Sequence, residues 1–270
     1  MMDLESYKYR LGAWDALAGQ DSAVHRIDPC AKIITVLAFI LAVVSFDRYA
    51  FSSLVPFVFF PLILAAAGGV PLGSLGRKIA LVAPFALMLG LFNPLLDRHP
   101  VVLAGSVTIA GGWVSFASIF LRFVLTVAAA LVLVAVTGIH AVASGLERLG
   151  VPRVFAVQIL FLHRYLFVLS EEAARMARAR ACRSLGKQGS GLGSYGPMVG
   201  HLLLRTVDRA QRIHVAMTSR GFDGEVRLLR SLRFRGRDLG FVLGWSAFFV
   251  TLRIWNVPRI LGDLISGVGP

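Results

Sequence analysis

Two arginine-centred triplets, 37 residues apart, are the residues of this chain best suited to a chemical task. They are Cys182-Arg183-Ser184 and Ser219-Arg220-Gly221. An arginine stays charged when partly buried, and its planar guanidinium pairs with a carboxylate through two parallel hydrogen bonds. Small residues flank each arginine where a helix is expected to stop. The triplets therefore predict docking to a partner. A cation that only offsets a helix dipole, worth about 0.3–1 kcal/mol, is the alternative.

The triplets end two copies of one pattern. A shift of 37 residues aligns Glu171 with Asp208, Arg175 with Arg212 and Arg183 with Arg220. Steps of four keep these positions on one stripe of a helix, and an acid four residues before an arginine stabilises it. We therefore predict two long helices, and the residues expected to stabilise them are Glu171, Arg175, Arg180, Asp208 and Arg212. Two similar arginine-tipped helices predict two similar receiving sites, as a pair of identical or homologous subunits would present.

The chain carries no familiar catalytic motif. It has no G-x-x-x-x-G-K-[ST] phosphate loop, no H-E-x-x-H pair and no G-x-S-x-G turn. We therefore expect no ATP hydrolysis by this chain alone, no other enzymatic activity and no cofactor. Four histidines are candidate nickel or cobalt ligands, namely His140, His163, His201 and His214. Their spacing matches no pair on one helix face, so we expect no resident metal.

The composition indicates a membrane protein. Of the 270 residues, 56% are hydrophobic and only 16% charged, against roughly a quarter charged in soluble domains. Five apolar stretches are candidate helical spans, at 31–47, 49–68, 79–96, 116–138 and 239–257. We therefore predict an all-α integral membrane protein with about five transmembrane helices plus long cytoplasmic coupling helices.

The basic residues are concentrated in one segment. Between Gly138 and Asp238 there are 17 Lys plus Arg against 7 Asp plus Glu, and the whole chain has a net charge of +13. Positive charge beside spans marks the cytoplasmic side, and its expected neighbour is the lipid bilayer rather than nucleic acid. We divide the chain into 1–138, with four spans, a cytoplasmic region 139–238 with a Gly-rich hinge at 186–196, and a last span and tail at 239–270.

A polar motif precedes the first span, His25-Arg26-Ile27-Asp28-Pro29-Cys30-Ala31-Lys32. Asp28 is suited to cap the helix, and Pro29 suits its first position because proline has no N–H to satisfy there. The long side chain of Lys32 is expected to extend to the lipid headgroups. We therefore assign Asp28, Pro29 and Lys32 a structural role where the chain enters the membrane.

Together with Ala216-Met217-Thr218-Ser219-Arg220-Gly221-Phe222-Asp223-Gly224 and the triplet around Arg183, this motif resembles the transmembrane T components of energy-coupling-factor (ECF) transporters, and within them the cobalt and nickel branch, CbiQ. The resemblance covers nearly the whole chain. It implies that the triplets dock into two ATP-binding-cassette ATPases, while a separate membrane subunit holds cobalt or nickel.

The resemblance leaves two points open. Ser184 replaces a common glycine, and Ala179-Arg180-Ala181 offers a competing frame, although the internal repeat favours Arg183. The substrate could also be a vitamin such as biotin.

Two other classes of protein compete with this interpretation. A membrane enzyme acting on anionic lipid head groups would use the same arginines to bind phosphate. A self-contained channel or secondary transporter would need polar residues at mid-membrane, and the spans offer few. Arg122, in or just before the fourth predicted span, is a functional candidate because charge inside a membrane is costly.

Overall fold

The computed structural model describes residues 17–47, 51–96, 100–103, 107–183, 195–224 and 234–254. Its helices are α1 (Pro29–Val44), α2 (Phe51–Ala67), α3 (Leu72–Leu96), α4 (Gly111–Thr137), α5 (Ile139–Arg148), α6 (Arg153–Arg183), α7 (Tyr195–Thr218) and α8 (Gly236–Ile254). The prediction of an all-α membrane protein is confirmed. Ser184 and most of the predicted hinge at 186–196 lie outside the described residues.

The five predicted apolar stretches correspond to α1, α2, α3, α4 and α8. Within the described residues, the helices long and apolar enough to cross a membrane are Leu72–Phe92 of α3, α4 and α6, whereas α1 and α2 are shorter. The presence of α6 among these helices differs from our expectation, because we predicted from its charge that this long helix is cytoplasmic. Its last thirteen residues carry two glutamates and four arginines, so its apolar character is confined to the first half.

A short antiparallel β-hairpin was not predicted. Strands β1 (Pro100–Leu103) and β2 (Val107–Ala110) pair in the register Pro100 to Ala110 and Leu103 to Val107. Valine, isoleucine and threonine fill most of both strands, and β-branched residues favour extended backbone. The hairpin lies in the weakly charged connection between α3 and α4. It is the one departure from helix and turn among the described residues.

The described residues form two compact units. The first, the aromatic unit, contains residues 17–138 and 234–254, and the second, the arginine unit, contains residues 139–183 and 195–224.

The core of the aromatic unit is built from phenylalanines. Phe39 of α1 is fully buried, and its ring centroid lies 4.6 Å from that of Phe60 in α2 and 5.4 Å from that of Phe249 in α8. Such stacked and edge-to-face pairs add to the dispersion energy of close packing. In the same unit α3 packs on α4, where a Cβ on Gly90 would stand 2.8 Å from the Phe116 ring. Aromatic packing and close helix approach therefore hold this unit.

The arginine unit buries far fewer side chains. Its buried residues are mostly small, and α7 has none. Helix α5 lies against α6, where the rings of His140 and His163 meet edge to face with centroids 5.1 Å apart and Glu147 pairs with Arg153 at 3.1 Å. This unit is therefore a set of largely exposed helices.

Candidate docking site on the arginine helices

The second triplet is positioned by the way α7 ends. The N–H of Phe222 donates to the carbonyl of Met217 at 3.0 Å, and the N–H of Gly221 donates to the carbonyl of Thr218 at 3.0 Å. This pair of bonds is the Schellman motif, which needs a left-handed residue after the helix, and Gly221 has φ +77°. Arg220 therefore stands on the last turn and is exposed.

The first triplet lies at the end of α6. Arg183 is its last residue and, like Cys182, is exposed. Arg180, the competing candidate, is only partly exposed, and its guanidinium lies 5.6 Å from the centre of the Tyr195 ring. A cation over an aromatic ring is already stabilised within the chain. Of the two arginines, Arg183 is thus the one that α6 presents at its tip.

An ion cluster joins α6 to α7. Glu172 accepts from Arg175 of its own helix and from Arg205 of α7, both at 2.6 Å. The side chain of Glu172 is 18% exposed, and that of Glu171 is 51% exposed and lies 3.7 Å from Arg175. The acid that connects the helices is therefore Glu172 rather than Glu171. The repeat selects Glu171 because it indicates which positions correspond along the two helices, not which side of a helix faces its neighbour. Glu172 lies about 100° around α6 from Glu171.

The second copy of the pattern does not form its expected ion pair. Asp208 and Arg212 are both exposed, and within the described residues no ion pair joins them. Arg212 instead lines an open cleft of about 280 Å³ between α6 and α7. The other residues of the cleft are Leu169, Glu172, Arg205, Thr206 and Arg209. Arg205 and Arg209, which the sequence pattern did not select, thus share a surface with Arg212.

The opposite side of α7 is apolar and open. Large side chains there are between 46% and 64% exposed, namely Val199, Leu203, Leu204, Val207 and Val215. A contiguous exposed apolar surface on a helix marks a contact with another molecule or with lipid. Helix α7 therefore combines an arginine side towards α6, an open apolar side and an arginine tip.

The motif before the first span forms the expected cap. The Asp28 side chain accepts from the N–H of Cys30 at 2.8 Å, and Pro29 occupies the first turn of α1. Lys32 differs from our expectation. Its side chain is only 5% exposed and borders a small apolar cavity beside Val36 and Val132, so it does not reach outward to the headgroups.

Asp238 is a capping residue that sequence reasoning missed. One oxygen of this buried carboxylate accepts from the N–H of Arg235 at 2.7 Å, which caps α8, and the other accepts from the N–H of Asp28 at 3.0 Å. An acid at the third helical position after a polar junction is the local signal of such a cap. Its second bond, across 210 residues, has no local signal. One carboxylate therefore caps α8 and fastens the start of α1.

The turn before α1 holds a partly buried histidine. His25 bonds to the Ser22 hydroxyl at 2.7 Å and donates to the Leu17 carbonyl at 3.0 Å, and burial lowers the pKa of His25 below 6.5. The neighbouring Arg26 pairs with Asp21 at 2.8 Å, which raises the pKa of Arg26. These bonds fix the backbone that leads into Asp28.

The remaining candidates form no recognised site. Arg122 donates to the backbone carbonyl of Asp47, so part of its charge is satisfied by a neighbouring chain segment. His140 and His163 meet in the arginine unit, but in the described part of the chain no three His, Cys, Asp or Glu side chains are grouped so as to hold a metal ion.

Comparisons with known proteins agree on one family. The model of the family described as CbiQ, cobalt transport protein, matches residues 20–232. The ECF transporter transmembrane protein EcfT of Heliobacterium modesticaldum is 27% identical over 256 residues, which cover 87% of this chain and 94% of that protein. The protein of the same name from Lactococcus lactis is 24% identical over 254 residues, with the same two shares. The cobalt transport protein CbiQ of Rhodobacter capsulatus is 38% identical over 88 residues, which cover 32% of this chain and 36% of that protein.

The family model spans well over half of the chain, and the structure contains several helices able to cross a membrane. The chain is thus a multi-pass membrane subunit of a transporter. It belongs to the CbiQ family of cobalt transport proteins, the transmembrane components of energy-coupling-factor transporters.

Proposed function

We propose that this chain passes the motion of two ATP-binding-cassette ATPases to a separate membrane subunit that binds the substrate, and that the substrate is a cobalt or nickel ion. The observation that carries the proposal is the presentation of Arg220 on a helix end whose geometry requires Gly221. Arg183 ends the partner helix α6. Two exposed cationic tips suit two acidic grooves, one on each ATPase.

In this proposal, motion passes from one helix to the other through the contact between α6 and α7. Glu172 of α6 pairs with Arg175 of the same helix and with Arg205 of α7. A displacement of one helix is therefore transmitted to the other. No side chain of α7 is buried, which leaves the helix free to reorient when its tip is displaced. Rigid helices that pivot on a small contact are a common device for transmitting motion. The partners proposed for this device are the two ATPases and the substrate-binding subunit, with lipid around the spans.

We place residues 139–238 in the cytoplasm, where the ATPases are. The support is the charge of this segment, since basic residues next to spans remain on the cytoplasmic side. The apolar first half of α6 then lies along the membrane surface or against a membrane subunit.

Cobalt or nickel is proposed on the name of the Rhodobacter capsulatus relative, a cobalt transport protein. The relatives named EcfT carry no substrate in their names, so a vitamin such as biotin is the second candidate. Uptake of radiolabelled cobalt, nickel and biotin into cells that make the complete complex separates them. Uptake of biotin without either metal would overturn the metal proposal and leave the coupling role intact.

Co-purification tests the docking role. The tagged chain, expressed with its chromosomal neighbours and extracted in mild detergent, is expected to bring down ATP-binding-cassette ATPases and one further membrane protein. Replacing Arg183 and Arg220 together by glutamate should abolish ATPase recovery but not membrane insertion, because each tip then repels an acidic groove.

A matched control reverses the same number of charges elsewhere. Arg164 and Arg237 are exposed and belong to neither triplet, so the R164E/R237E chain should recover the ATPases as the parent does. Equal recovery by the R183E/R220E chain would contradict the proposed docking site. A folded chain that purifies alone and turns over anionic lipid would favour the enzyme alternative.

A further inference from the structure

The cleft between α6 and α7 carries an excess of positive charge. Arg205, Arg209 and Arg212 follow one another at steps of four and three, which places all three guanidinium groups on one side of α7. Among the described lining residues Glu172 is the only acid, and it is already shared between Arg175 and Arg205. Three arginines around a volume of about 280 Å³ are suited to an anion with several acceptor oxygens.

An apolar stripe leads into this cleft along α6. Phe155, Leu162 and Leu166 are 61%, 68% and 41% exposed, and their spacing puts them on the same face of the helix as Leu169, which lines the cleft. From Phe155 to Leu169 the helix rises about 21 Å, more than the roughly 15 Å of one hydrocarbon leaflet. The stripe is therefore long enough for the acyl chain of a lipid.

We propose that this cleft and stripe bind an anionic phospholipid, with the phosphate between Arg205, Arg209 and Arg212 and one acyl chain along Phe155, Leu162 and Leu166. The combination of a cationic pocket and an adjoining apolar track matches an amphiphile rather than a free anion. A zwitterionic choline headgroup fits less well, because its quaternary ammonium would place a further positive charge beside the three arginines. The lipid is bound and not chemically changed.

This site goes beyond the proposed coupling role, since it assigns a ligand to the contact between α6 and α7. A phosphate at Arg205 would add a second anion to the Glu172 cluster and hold α6 and α7 together more firmly. The anionic lipid content of the membrane would then set the stiffness of the pair.

Native mass spectrometry of the full chain in mild detergent tests the site. The probes are dioleoylphosphatidylglycerol, dioleoylphosphatidylcholine and inorganic phosphate. We expect one phosphatidylglycerol to remain bound under conditions that remove phosphatidylcholine. The R209Q/R212Q chain should bind it on the order of 10- to 30-fold more weakly, from two surface charges lost. The R164Q/R237Q chain loses the same charge at two exposed residues that are not among those lining the cleft, and it should bind like the parent.

The stripe is tested separately. Leu162 and Leu166 are exposed, so the L162S/L166S chain should fold normally, as circular dichroism and gel filtration will confirm, and should lose several-fold in phosphatidylglycerol affinity.

Three results would overturn the proposal. They are equal retention of both lipids, no effect of R209Q/R212Q, and displacement of the lipid by inorganic phosphate with no effect of L162S/L166S. The measurement uses the chain without ATPases, so it is independent of the outcome of the co-purification.

Discussion

The aromatic unit and the arginine unit of this protein are held by different forces. In the first, fully buried phenylalanines pack at 4.6–6.0 Å between ring centroids, and a buried carboxylate joins two helices. In the second, α7 has no buried side chain, and its described ties to α6 include one ion pair and a cation over a ring. Exposed ion pairs contribute little and weaken with salt. In the arginine unit, α7 is thus joined to α6 by weak polar contacts, and its exposed surface is available to a partner.

The largest expected effect is on the aromatic core. Replacing the fully buried Phe39 by alanine removes its contacts with Phe60 and Phe249, and cavities of this kind cost about 3–5 kcal/mol. The thermal unfolding midpoint in detergent should fall by many degrees. Replacement of the exposed Phe155 is the matched control and should leave the midpoint nearly unchanged. Equal shifts would show that both units rely on packing alike.

The next effect concerns the shared cap. The D238A chain should lose about 1–3 kcal/mol, because the buried N–H of Asp28 is left without its acceptor. Asparagine keeps one acceptor oxygen, so the D238N chain should lose less. The unfolding midpoints of the two variants measure the difference. If D238A were as stable as the parent, the join between α1 and α8 would rest on packing alone.

A smaller effect, of a different kind, is expected in the arginine unit. Replacing Glu172 by glutamine should increase hydrogen exchange in α7 at low salt, because the bridge to Arg205 is lost. At high salt the parent should approach the variant, since the ion pair is then screened. Replacing the more exposed Glu171 is the control and should change little. If the difference in hydrogen exchange between the parent and the variant did not depend on salt, the ion pair would not be what holds α7, and the contrast with the aromatic unit would weaken.

The smallest effect is a dependence on pH in the turn before α1. Because burial lowers the pKa of His25, the unfolded chain binds more protons than the folded one below pH 6.5. The stabilisation from His25 is therefore complete above about pH 6.5 and declines as the pH falls towards the lowered folded value. Unfolding midpoints between pH 5 and 8 should show this slope, and the H25Q chain should show less of it. A slope that H25Q leaves unchanged must come from another group.

Local signals in the sequence predicted local structure well. The cap at Asp28 and the stop after Arg220 depend on neighbouring residues, and both form as expected. Phe39 and Phe249 lie in different spans, and nothing in either span marks the other as its partner. The hairpin is short and apolar, so its pattern resembles that of the helices around it. Glu172 was missed because the repeat gives register along a helix but not the side that faces a neighbour.

The hydrogen bond between Asp238 and Asp28 also has a consequence for the folding of the chain during its synthesis. The two residues are separated by 210 positions, so at about 5–20 residues per second the ribosome needs roughly 10–40 s to deliver the acceptor after the donor has appeared. Throughout that interval the start of the first helix has a donor without its native acceptor. A chain cut short before its last helix would keep that defect permanently.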